Sequence, residues 1–141
     1  ELRTFTSEEL GMKYRNIDLG SDWIFNSARL KTSNGNKKNI QSKMKEIIGL
    51  RKKSQPTGVK TGGSTFMNTS NYKAWELIDK AGCRGLKFGD AMISEKHCNF
   101  IINTRKSSAQ EIEKLGELVK EKVMTSSGIN LNWEIQKVGL K

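Results

Sequence analysis

Two adjacent glycines, Gly62 and Gly63, stand directly ahead of Ser64. Consecutive glycines let a backbone adopt φ > 0 or approach a ligand closely, and their amides are free to face an anion. The pattern is not a phosphate-binding P-loop, because no lysine separates the glycines from the hydroxyl residue. It is not a nucleophile elbow either, since the position two beyond Ser64 would need glycine and holds Phe66. His97 is the single histidine, so a Ser-His-Asp hydrolase finds no base near Ser64 in the sequence. Taken alone, the loop reads as a turn. Two further groups could act on an anionic substrate. Arg15, beside Tyr14, could hold a carboxylate in bidentate fashion, where plain surface charge is the bland alternative. Glu134 sits between Trp133 and Ile135 in an alternating stretch, so it faces away from them and is solvated unless that face lines a pocket.

Metal chemistry has little to work with. Cys83 and Cys98 are the two cysteines, far from C-x-x-C spacing, and with His97 they cannot supply the four ligands of a structural zinc site. No metal is expected, and both cysteines read as buried free thiols. The net charge of +10 is concentrated: Lys37, Lys38, Lys43, Lys45, Arg51, Lys52, Lys53 and Lys60 face one acid, Glu46, over that stretch. Such a patch attracts nucleic acid, acidic lipid or the phosphates of a small molecule, or is simply a solvated helix face.

The elements that must position these groups follow from periodicity. The 141 residues suffice for one ordinary domain, with three Trp, five Phe and two Tyr to fill a core. No apolar run nears the roughly 20 residues of a membrane span, and residues 1–9 are too acidic for a signal peptide. A cytoplasmic protein is the expectation. Thr6 to Glu9 is a capping-box-like start to a short helical turn ending near Gly11. Residues 23–31 alternate Trp23, Phe25 and Ser27 against Ile24, Asn26 and Ala28, a strand signal. The turn residues 33–36 mark a boundary.

Beyond it, Ile40, Met44, Ile47 and Ile48 recur at helical spacing over residues 38–51. A second helix over residues 72–81 ends at Gly82. Residues 98–103 read as a buried strand. Ser107 and Ser108 compete to cap a long third helix that runs to about Thr125 with Ile112, Leu115, Leu118, Val119 and Val123 inward. Residues 131–138 read as a closing strand. Helices and strands mix without strict β-α-β alternation, which predicts an α+β fold. The strand at 23–31 has no neighbour in its own segment, and a lone strand cannot satisfy its backbone groups.

The order of motifs is specific. Tyr14-Arg15-Asn16 is followed by Arg51 and Gln55-Pro56, then Gly63-Ser64-Thr65-Phe66-Met67-Asn68. Next come AWELIDKAG from Ala74 to Gly82, Gly85-Leu86, and Gly89-Asp90-Ala91. SEKHCNFIIN runs from Ser94 to Asn103, and Leu131-Asn132-Trp133-Glu134-Ile135 closes the series. Across nearly the whole chain this resembles the C-terminal part of the bacterial UDP-N-acetylenolpyruvoylglucosamine reductases, the MurB family, in its shorter type. Departures are Ile17-Asp18-Leu19 after the Tyr-Arg pair, Gly62 for a common Ala, Thr69 for a Pro and Asp90 for a Gly.

The resemblance implies an FAD enzyme that uses NADPH to reduce the enolpyruvyl ether of a UDP-sugar to UDP-N-acetylmuramate in peptidoglycan synthesis. It implies that Arg15 pairs with the substrate carboxylate, that Ser64 protonates carbon, and that Glu134 polarises the enolate end. Tyr14, Asn68 and His97 fall at substrate-contacting positions, and Arg51, Lys52 and Lys53 are placed for the diphosphate. Residues 1–36 resemble the C-terminal remnant of an FAD-binding domain, and residues 37–141 the substrate-binding C-terminal domain. A partner is then implied, namely the missing N-terminal FAD domain, without which the fragment is expected to be inactive. A monomer is expected, with neither nucleic acid nor membrane as partner. The alternative is a small basic nucleic-acid-binding module, although no recognition motif is visible and the aromatics are not interleaved with the basic residues.

Overall fold

Ser108 settles the start of the longest helix, because it is followed three residues later by Glu111. Its hydroxyl accepts from the Glu111 N–H (3.2 Å) while the Glu111 carboxylate accepts from the Ser108 N–H (2.7 Å), the reciprocal bonding that satisfies two orphan amides. The computed structural model containing this helix describes residues 1–14, 16–20 and 22–139. The chain divides into two units, Glu1–Asn36 and Lys37–Lys141.

In the first unit Thr6 and Glu9 form the expected capping box, with bonds of 2.7 and 3.3 Å, but only a turn follows before Gly11. Lys13 and Asn16 exchange both backbone hydrogen bonds (2.9 and 3.2 Å), and Lys13 pairs with Asp18 at 3.0 Å. Phe5 meets Trp23 edge-on at 5.0 Å. The strand expected over residues 23–31 does not form. Nothing among the described residues pairs with it, and alternating side chains cannot replace the missing ladder.

The second unit begins with α1 (Lys37–Ser54), β1 (Lys60–Ser64) and α2 (Ala74–Lys80). It continues with β2 (Lys87–Phe88), β3 (Ala91–Ile93), β4 (Phe100–Asn103) and α3 (Ala109–Ser127). The strands make one antiparallel sheet in the order β1-β4-β3-β2. Helix α3 lies across β2, β3 and β4 and packs against α2. With α3 laid on one face of an antiparallel sheet and α2 packed against α3, the class is α+β, as expected.

The core is the seam between these layers. Leu115, Val119 and Val123 of α3 meet Ala91, Ile93 and Ile101 of the sheet and Leu77 and Ile78 of α2. Leu118, expected to face inward with them, is only half-buried. Helix α2 is shorter than its periodicity suggests and ends in a Schellman pair, Cys83 N–H to Ile78 O (3.1 Å) and Gly82 N–H to Asp79 O (2.9 Å). Cys83 and Cys98 are free and buried, and burial pushes the Cys98 thiol up to about 11.

Helix α1 forms as its spacing demands, yet buries no residue. Ile40, Met44, Ile47 and Ile48 are each about half exposed, and no other helix or strand of the described residues packs on it. Lys96 reaches it by donating to the Lys52 carbonyl (2.8 Å), where a cation suits the negative end of a helix.

Candidate functional site

Ser64 owes its direction to the glycine pair before it. Strand β1 pairs Thr61 with Ile102 and Ser64 with Phe100, so one extra residue is inserted in β1 between those two pairs. This is a β-bulge, and Gly63 takes φ +87° within it, a conformation that costs a residue with a Cβ. Side chains alternate across a strand, so the extra residue transfers Ser64 to the face of Thr61, Ile102 and Phe100. That face is opposite the one on which Ala91, Ile93 and Ile101 meet α3. Gly62 has the other use of a glycine: a Cβ there would come within 3.0 Å of the Ile135 side chain.

After Ser64 the chain enters a slot between two segments. On one side the Asn99 carbonyl accepts from the Thr65 N–H (2.8 Å). There the Asn99 carboxamide also takes both polar groups of Phe66: Oδ1 accepts from its N–H and Nδ2 donates to its carbonyl, each at 2.9 Å. On the other side Met67 N–H donates to Asn132 O and Glu134 N–H to Thr65 O, both at 2.8 Å. This single antiparallel bridge, Phe66 to Trp133, is what remains of the closing strand expected over residues 131–138. The reason is local. Residues 132–134 pair with a three-residue stretch beyond the bulge, which offers no long edge.

Glu134 is therefore hung on the residue next to Ser64. Its Oε2 is withdrawn from solvent, while the residue as a whole is half-buried. Trp133 fixes it from the other direction. The indole packs on Phe66 (5.0 Å between rings) and its Nε1 donates to Glu117 on α3 (2.8 Å). Lys137 caps the indole at 4.3 Å while lying 3.6 Å from both Glu113 and Glu117. The ring approaches α3 so closely that a Cβ on Gly116 would lie 2.0 Å from it.

The other expected residues are spread along the same framework. Asn68 follows the slot, and its Oδ1 accepts from the Ala74 N–H (2.9 Å) at the start of α2. It thus serves as a helix cap that leaves its amide donors for another partner. His97 stacks edge-on against Phe100 (4.9 Å) and lies 6.1 Å from Trp75. Its Nδ1 accepts from the Asn99 N–H (3.3 Å), which leaves Nε2 as the donor of a neutral ring. Burial, with the Arg84 charge adding to it, holds His97 below the ordinary imidazole value. Tyr14 is exposed in the first unit. Arg15 lies outside the described residues.

Two residues of the Ser94–Asn103 motif have structural roles that the sequence does not assign to them. Asn99 and Asn103 sit in a run that reads as a buried strand, where an amide looks incidental. Asn103 in fact accepts from the Arg105 and Ser107 amides (both 3.1 Å) and shapes the approach to α3. The available signal was an amide side chain inside an apolar run, since a buried carboxamide needs partners of both kinds.

Comparison with known proteins agrees with this framework. The profile of the UDP-N-acetylenolpyruvoylglucosamine reductase C-terminal domain matches residues 55–138, more than half of the chain. The UDP-N-acetylenolpyruvoylglucosamine reductase of Rickettsia bellii (strain RML369-C) is 51% identical over 137 residues, covering 97% of this chain and 45% of the relative. That of Paramagnetospirillum magneticum is 49% identical over 140 residues, covering 99% and 46%. The crystal structure of the Thermus caldophilus enzyme superposes with a TM-score of 0.76 at 36% identity, over 92% of this chain and 47% of that one. The chain therefore spans less than half the length of these relatives. It belongs to the C-terminal-domain family of the UDP-N-acetylenolpyruvoylglucosamine reductases.

Proposed function

We propose that this chain is the substrate-protonating part of a UDP-N-acetylenolpyruvoylglucosamine reductase, with Ser64 as proton donor and Glu134 beside it. The observation that carries the reading is the joint placement of the two: Glu134 N–H bonds the carbonyl of Thr65, the residue after Ser64 (2.8 Å), and a bulge aims Ser64 away from the core. The reaction reduces the enolpyruvyl ether of UDP-N-acetylglucosamine to UDP-N-acetylmuramate in peptidoglycan precursor synthesis, in the cytoplasm.

The described residues do not fit a flavin cradle, since the tandem glycines are committed to the bulge and to contact with Ile135. No step through the cofactor is derived for them. FAD belongs to the remainder of the protein and supplies hydride there after reduction by NADPH. Residues 1–36 are the end of that FAD-binding domain, and the chain without the rest reduces nothing.

The tasks left to this chain are charge control and proton delivery. Adding hydride to the methylene carbon builds negative charge toward the substrate carboxylate, which must be held and then quenched. Arg15 pairs with that carboxylate. Ser64 donates its hydroxyl proton to the neighbouring carbon, a transfer that a weak acid performs only toward a strongly basic partner in a fixed geometry. Glu134 orients the enolate end. Tyr14, the free amide donors of Asn68 and the Nε2–H of His97 are suited to the sugar and nucleotide, and the basic last turn of α1 to the diphosphate.

The test is to join this chain to the remainder of the Rickettsia bellii relative and follow NADPH oxidation. Oxidation that depends on the enolpyruvyl UDP-sugar is the expected result. Its absence, in a protein whose flavin is still reduced by NADPH, contradicts the reading. The exposed cationic face of α1 favours a second reading, a nucleic-acid-binding module. Tight DNA binding lost steeply with added salt would support that one instead.

A further inference from the structure

We infer that Asn99 is a positioning residue for the proton-transfer step: its carboxamide stands in for a missing strand and fixes the segment that carries both Ser64 and Glu134. The inference rests on the proposed role of Ser64. Residues 65–67 need partners on two sides. One side is met by residues 132–134 through main-chain bonds. On the other, β4 starts only at Phe100, because the chain before it is turning, with Phe100 N–H bonded to His97 O at 3.0 Å. The peptide groups of Phe66 consequently find no backbone partner there, and both are met by the side chain of Asn99.

Few side chains can do this. A carboxamide offers one acceptor and one donor side by side, in the geometry of a peptide. A carboxylate lacks the donor, and a hydroxyl cannot span both groups. Asn99 is 5% exposed and Phe66 fully buried, so water does not replace the lost bond. Without Asn99 a buried peptide group is unsatisfied, and the segment must shift to relieve it. Ser64 and Glu134 shift with it, the first through the chain and the second through its bond to Thr65.

The test uses the complete reductase, this chain joined to the remainder of the Rickettsia bellii relative, with Asn99→Asp, Asn99→Ala and Ser64→Ala compared with the parent. Flavin reduction by NADPH is measured separately from flavin oxidation by the enolpyruvyl substrate. For Asn99→Asp at neutral pH we expect reduction at the parent's rate and substrate-dependent oxidation slower by on the order of 100-fold, the scale of a small misplacement of reacting groups. KM should change little. A carboxyl facing a carbonyl titrates above its usual range. The rate relative to the parent should therefore recover as pH falls and the carboxyl regains a proton to donate to Phe66. Asn99→Ala, which regains no donor, should be slow at every pH.

A merely structural role would slow both half-reactions together, or leave no pH recovery, and either outcome overturns the inference. So does Asn99→Asp oxidising at the parent's rate while Ser64→Ala is slow, a result that spares the role of Ser64. If Ser64→Ala itself oxidises at the parent's rate, the proton-donor reading fails and this inference falls with it.

Discussion

Residues 23–31 leave Ile24 and Leu30 93% and 81% exposed, whereas residues 131–138 bury Leu131 completely and hang Glu134 on the carbonyl of Thr65. Both stretches alternate, and both read as strands. Alternation reports which side chains share a face, but the face becomes a structure only where another segment supplies hydrogen bonds and apolar contact. The second stretch finds hydrogen bonds as well as apolar contact at Phe66 and α3, whereas the first has an aromatic contact, Trp23 on Phe5, but no backbone ladder among the described residues. A single bridge suffices in the second case because Trp133 adds an aromatic contact, an indole hydrogen bond and a cation over its ring.

The largest break in that comparison is Phe66→Ala. Phe66 is fully buried against Trp133, and removing it should cost about 3–5 kcal/mol in chemical unfolding of the chain. It should also free residues 132–134, seen as a loss of the burial of Trp133 by fluorescence. Gly116→Ala is a sharper probe because two effects oppose. Helix propensity alone predicts a gain of about 1 kcal/mol. The Cβ, however, would sit 2.0 Å from the indole, and overpacking of this kind costs about 1–3 kcal/mol. We expect net destabilisation, and a more stable variant would mean that Trp133 does not rest on α3 as described. Smallest is Ile24→Ser, expected to stay within about 0.5 kcal/mol of the parent. A larger loss would show that residues 23–31 are packed after all.

The elements legible in the sequence are those whose signals are local. Ser108 with Glu111 and the Ile78–Gly82–Cys83 end of α2 are both fixed by residues within one or two turns of each other. The helical stripe of α3 was readable, and so was that of α1, but the same kind of pattern buries Leu115 in one and nothing in the other. Spacing names a face without naming what covers it.

At the candidate site, Ser64 and Glu134 stood out as residue types in a recognisable order. What joins them did not. The glycine pair reads as a turn and is a bulge, and Asn99 reads as part of a strand and is a clip across 33 residues of sequence. Both devices depend on pairing with distant segments, which no local pattern encodes. The framework of the site is thus long-range even though its chemistry is carried by a few named side chains.

The central claim is that Ser64 supplies the proton. Its most direct test is a single turnover of the complete, pre-reduced reductase with the enolpyruvyl substrate, comparing Ser64→Ala with the parent. The account predicts product formation slowed by roughly 100- to 10,000-fold, the usual contribution of a general acid, with NADPH reduction of the flavin unchanged. Product formed at the parent's rate would contradict it.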